Sequence, residues 1–142
     1  MTTSTPTDAP VSNENGNGNV RWFSELGLAD LDQVGGKNSS LGEMVANLSA
    51  AGVRVPDGFA TTADAFRRFI AQTGLGDLIN ARLAGLDTDD VEELARVGAE
   101  IRAAVVAQEF PVDLETDIRA AYAQLVVDNA EASFAVRSSA TA

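Results

Sequence analysis

Val34-Gly35-Gly36-Lys37-Asn38-Ser39-Ser40-Leu41-Gly42-Glu43-Met44 carries the strongest local signal in the chain. Two glycines come first, then the only lysine of the protein, then Asn38 and Ser39, both residue types that cap helix N-termini. Leu41, Met44, Val45 and Leu48 follow at i, i+3, i+4 and i+7, which predicts a helix with one apolar face. Gly52 closes that helix by supplying a left-handed terminal residue. A glycine pair lets the backbone approach a ligand closely. The helix N-terminus beyond it contributes unpaired N–H groups and a partial positive charge, and Lys37 adds a mobile full charge. These are the ingredients of an anion or phosphate site. Taken alone, the same string also reads as a surface turn. It is not a P-loop, which needs Gly six residues before the lysine and Ser or Thr after it; Leu31 and Asn38 stand there.

Working outward, Arg21-Trp22-Phe23 reads as a short strand or anchoring run. Val53 to Thr61 reads as a β segment broken by Pro56-Asp57-Gly58. Thr61 with Asp64 resembles a capping box opening a second helix that carries Phe66, Phe69 and Ile70 and stops at Gly74. A short third helix spans Leu75 to Ala84 and ends at Gly85. Asp87-Thr88-Asp89-Asp90 places acids at the positive end of a fourth helix, striped by Val91, Leu94, Gly98, Ile101 and Val105. After Pro111, Leu114, Ile118, Ala121, Tyr122 and Leu125 stripe a fifth. Phe134-Ala135-Val136 reads as a strand, ending in Arg137 and the small residues Ser138-Ser139-Ala140-Thr141. A guanidinium at a strand end, beside hydroxyls and accessible N–H groups, suits phosphate oxygens; it equally suits a surface carboxylate. The fold class is α+β and helix-rich, with β segments near residue 20, at 53–61 and at 133–137. A β run so close to the last residue reads as a domain interrupted.

Composition removes several functions. Ten Lys and Arg against 21 Asp and Glu give a net charge of −11, which opposes binding to nucleic acid. The 142 residues contain no Cys and no His. Disulfides, thiolate chemistry, imidazole acid–base work and phosphohistidine are therefore excluded from this stretch, and the absence of Cys fits the cytoplasm. Residues 1–19 are small and polar and read as a disordered tail, without the basic and apolar runs of a signal peptide. No segment is apolar enough for a membrane helix. Asp30-Leu31-Asp32 with Gly35 invites a calcium-loop reading, which fails because Val34 and Leu41 occupy ligand positions.

Three ordered strings together carry a resemblance: Val34 to Met44, Gly52-Val-Arg-Val-Pro-Asp-Gly-Phe-Ala-Thr-Thr-Ala-Asp-Ala-Phe66, and Ala132-Ser-Phe-Ala-Val-Arg-Ser-Ser-Ala-Thr-Ala142. From about residue 20 onward the chain resembles the phosphoenolpyruvate synthase (pyruvate, water dikinase) family. Pyruvate phosphate dikinase and rifampicin phosphotransferase are similar in the same region. The resemblance implies that residues 20–142 are the helix-rich first subdomain of a truncated, ATP-grasp-like nucleotide-binding domain. It implies that Lys37 and Arg137 contact ATP phosphates. It implies a cytoplasmic kinase of gluconeogenesis that converts ATP, pyruvate and water into AMP, phosphoenolpyruvate and phosphate, through a histidine on a mobile domain and with Mg2+.

The phosphorylated histidine is missing here, and the family's magnesium ligands, the rest of the ATP cleft and the pyruvate site would lie beyond residue 142. The expectation is an ATP-binding part that is inactive by itself. The competing readings are a fragment of one of the related phosphotransferases, or a non-catalytic acidic helical interaction module. Oligomeric state is left open by the sequence.

Overall fold

In the computed structural model, residues 18–53, 55–128, 131 and 133–141 are described. The stretch 1–17, most of the expected tail, lies outside them, as does Arg54. Asn19, assigned to the tail by its composition, is only 1% exposed and is held by hydrogen bonds.

Two short strands, β1 (Val20–Trp22) and β2 (Phe59–Thr61), pair antiparallel with Val20 opposite Thr61 and Trp22 opposite Phe59. Trp22 and Phe59 meet edge to face, with ring centroids 5.8 Å apart, a geometry that aromatic quadrupoles favour. Two 3₁₀ turns, Phe23–Glu25 and Leu28–Asp30, lead into α1 (Leu31–Val34) and α2 (Gly36–Ala50). After β2 come α3 (Ala63–Gln72), α4 (Leu75–Leu83), α5 (Val91–Ala107) and α6 (Val112–Asp128). The α+β, helix-rich class is what the structure shows.

The β segment expected over 53–61 shrinks to β2, because only Phe59–Thr61 faces a partner strand. The strand expected at 133–137 is absent. Residues 133–141 run without regular structure, no strand lies beside them among the described residues, and Val136 is 98% exposed. A strand without a ladder partner leaves its backbone groups to water, and the apolar pattern alone does not create one.

Ala65, Phe69, Leu75 and Leu114 form the larger core, with Ile79, Ala104 and Ile118 packed around it. A smaller cluster, Leu26, Val34 and Ala60, lies beneath β2 with Phe23 against it. Helix caps follow the chemistry expected, with shifts in position. Thr62, not Thr61, caps α3, its hydroxyl accepting from the Ala65 N–H at 3.1 Å. Asp90 caps α5 by accepting from the Glu93 N–H at 3.0 Å. At the end of α2 the Gly52 N–H bonds Ser49 O and the Val53 N–H bonds Leu48 O, a paired closure that satisfies two terminal carbonyls.

Two of the expected apolar faces are rotated. On α2 Val45 is buried as its stripe requires, but its buried companions are Ser39 and Gly42, while Met44 and Leu48 are exposed. On α5 Val97 is buried, while Val91 and Leu94 face outward. Phe66 and Tyr122 are likewise more than half exposed.

Candidate functional site

The approach to Lys37 is set by Gly35. Its φ of 80° ends α1 and starts α2 without an intervening loop, a conformation that a side chain resists. Gly35 is therefore the N-cap of α2, and Asn38 and Ser39, expected as caps, lie inside its first turn. Their side chains turn back onto carbonyls: Asn38 Nδ2 donates to Val34 O at 2.8 Å and Ser39 Oγ to Gly36 O at 3.1 Å. Polar side chains near a helix start commonly satisfy local backbone groups in this way.

The segment 133–141 comes back over this helix end. Phe134 meets Tyr122 of α6 edge to face at 5.7 Å. Farther along, Lys37 Nζ donates to Ser138 O at 3.2 Å, and the Gly36 N–H donates to Ala140 O at 3.1 Å. Residues 37 and 137, a hundred positions apart in sequence, thus belong to adjoining segments: Lys37 holds the carbonyl of the residue that follows Arg137. One N–H group expected to be free for a ligand, that of Gly36, is taken by the chain itself.

Among the described residues three cations, Lys37, Arg102 and Arg137, have no carboxylate partner, and of these Lys37 and Arg137 belong to the adjoining segments. Arg21, Arg67, Arg68, Arg82, Arg96 and Arg119 are all ion-paired with carboxylates. Among the described residues no carboxylate lies within ion-pair distance of Lys37 or Arg137, and both are exposed. The alternative of Arg137 tied to a surface carboxylate does not occur among them. An ammonium has three donors, and the one neutral carbonyl on Lys37 orients the group without cancelling its charge. Two surface hollows lie elsewhere. One runs along the outer face of α2 at Ser40, Met44 and Leu48; the other, between α4 and α5, holds the Arg82–Glu100–Arg96 ion network. Lys37 and Arg137 stand on an open surface outside both.

Residues 31–142 match the family described as pyruvate phosphate dikinase, AMP/ATP-binding domain. The chain belongs to that family. Curated relatives agree. It is 54% identical to phosphoenolpyruvate synthase of Escherichia coli (strain K12) over 132 residues, 93% of this chain and 17% of that protein. Against the phosphoenolpyruvate synthases of Neisseria meningitidis serogroup B and Pseudomonas aeruginosa the identities are 54% and 56%. Those matches cover 87% and 84% of this chain but 16% and 15% of the relatives. The chain therefore spans a small part of the length of the relatives it matches. Both cations and both segments of the site fall inside the family match.

The carbonyls of Ser138 and Ala140 and the approach at Gly35 are what sequence reasoning missed. The run of small residues at 138–141 was the available signal, since only a slender segment lies this close to a helix end. No helix among the described residues is long and apolar enough to cross a membrane.

Proposed function

We propose that this chain is the ATP-gripping N-terminal part of a phosphoenolpyruvate synthase, with Lys37 and Arg137 as the cations that meet the nucleotide's phosphates. The observation that carries the reading is the pairing of segments: Lys37 Nζ rests on Ser138 O, next to Arg137, and among the described residues neither cation is paired with a carboxylate, in a protein of net charge −11. Membership in a family of AMP/ATP-binding domains supplies the ligand class. Two cations converging on one phosphate chain neutralise its charge and hold it in line. That is most of what phosphoryl transfer asks of a protein.

In this reading the whole enzyme converts ATP, pyruvate and water into AMP, phosphoenolpyruvate and phosphate, in the cytoplasm and in the direction of gluconeogenesis. A histidine outside this stretch carries the phosphoryl group, and the first domain has an ATP-grasp-like plan that needs a second subdomain to close on ATP. Magnesium does not fit the residues described here, among which no group of three or more carboxylates converges. In this reading magnesium is held by residues of the whole enzyme outside this stretch.

The test is titration of the chain with ATP at low ionic strength, by calorimetry. Lys37→Ala and Arg137→Ala are each expected to weaken binding on the order of tenfold, the scale of one charge-assisted phosphate contact. Wild-type affinity in both variants removes the two cations from the site.

A further inference from the structure

We propose that Gly35 is a positioning residue for the phosphate grip: it is the seat on which residues 138–140 rest, and that seat holds Arg137 beside Lys37. The inference rests on the reading of Lys37 and Arg137 given above. Three observations converge on it. A Cβ built at Gly35 would lie 2.3 Å from Ser139 Oγ and 2.6 Å from Ala140 O, far inside any contact a side chain tolerates. The next residue, Gly36, donates its N–H to Ala140 O at 3.1 Å, so the seat ends in a backbone hydrogen bond. The Ser139 hydroxyl oxygen is buried at this contact with no hydrogen-bond partner. A polar atom is kept dry there, although its desolvation is unfavourable.

The neighbouring glycine isolates the cause. At Gly36 a Cβ meets nothing within 4 Å, so the pair is not uniformly crowded. Gly52 supplies the second reference: its φ of 79° nearly equals that at Gly35, yet a Cβ there also meets open space. Gly52→Ala therefore reports the strain of a positive φ without a neighbour, Gly35→Ala adds the collision with the 138–140 segment and the cost of its ψ of 162°, and Ser139→Leu brings the collision with no change at the glycine.

Amide hydrogen exchange at position 36, read by NMR on the full chain, follows the seat directly, and ATP titration follows its consequence. In Gly35→Ala, protection at position 36 is expected to fall about tenfold or more and ATP binding to weaken by about the same factor, the scale of one lost backbone hydrogen bond with its ordered segment. Gly52→Ala is expected to keep both within about twofold, since it lies outside the seat and its Cβ meets nothing within 4 Å. Ser139→Leu crowds the same contact from the outer segment, where no helix depends on it, and is expected to behave as Gly35→Ala does even where that variant folds poorly. Unchanged protection in Gly35→Ala and Ser139→Leu, or an equal loss in Gly52→Ala, overturns the seat. If Lys37→Ala weakens ATP binding while Gly35→Ala and Ser139→Leu do not, this inference fails alone. If Lys37→Ala binds ATP as the wild type does, the phosphate grip fails, and the exchange measurement still decides whether the seat exists.

Discussion

The α3–α6 core and the turn at the start of α2 are held together in opposite ways. Around Phe69, Leu75 and Leu114, helices keep their distance and fill the space between them with side chains. Around Gly35 and Gly42, backbone touches backbone: Leu26 O lies 2.4 Å from where a Cβ on Gly42 would sit, and Ala140 O lies 2.6 Å from one on Gly35. Removing atoms damages the first region, and adding atoms damages the second. The candidate site lies in the second, where placement depends on main-chain contacts and not on the mutual fit of side chains.

The largest effect is expected where side chains fill the space. Phe69 is 5% exposed and stacks at a tilt on Phe110, with centroids 5.7 Å apart. Phe69→Ala is expected to cost about 3–5 kcal/mol of unfolding free energy, from lost transfer energy plus the cavity. Urea denaturation checks it, and a loss near that of an exposed position would mean that the helical cluster is not a packed core.

The next effect tests the opposite rule with two glycines inside helices. In α4, a Cβ on Gly76 meets only Ile70 Cγ2 at an ordinary 3.5 Å, so Gly76→Ala is expected to stabilise by roughly 0.5–1 kcal/mol through helix propensity. In α2, Gly42→Ala gains the same propensity but drives into the Leu26 backbone, which cannot swing aside as a side-chain tip can. A net destabilisation of about 1–3 kcal/mol is expected from the overpacking. Opposite signs in matched urea titrations sustain the contrast between the regions. The same sign in both dissolves it.

This contrast also explains what the sequence could and could not tell. The helices from 91 and from 112 are legible because apolar residues recur at helical spacing over several turns. On α6, Leu114, Ala121 and Leu125 are buried as their stripe requires. On α2 the pattern points to Leu41, Met44, Val45 and Leu48; Val45 is buried as expected, yet the rest of the buried face is Ser39 and Gly42. Periodicity registers bulk, and a face built for close backbone approach is marked by the lack of it. The end of the chain shows the same limit: Phe134 to Val136 has strand composition, but strand formation depends on a partner that composition does not encode. Lys37 and Arg137 stand out as cations in small-residue settings. That the carbonyl after Arg137 is the acceptor for Lys37 is a main-chain fact without a side-chain signature.

A polar joint ties the start of β1 to α3 and α6 of the first region, and its effect is the smallest and the most specific. Asn19, just before β1, donates to Asp117 Oδ2 at 2.7 Å and accepts from Arg68 of α3, which also donates to Asp113 Oδ2 at 3.2 Å. Partial burial acts to raise the Asp113 pKa; the hydrogen bonds from the Leu114 N–H and the Asn19 amide and the charge of Arg68 outweigh it, leaving the carboxyl below its ordinary 3.8. A carboxyl that holds its proton less tightly in the folded state than in the unfolded chain stabilises the fold above the unfolded value. That contribution is lost as pH falls through the folded one. Asp113→Asn removes the titrating group while keeping the shape. The difference in melting temperature between wild type and variant is therefore expected to be largest near neutral pH and to shrink as the pH drops below 3.8. Parallel thermal melts across that range measure it. A difference that stays constant with pH would show that Asp113 serves the joint by its shape alone and that its charge does not couple α3 to α6.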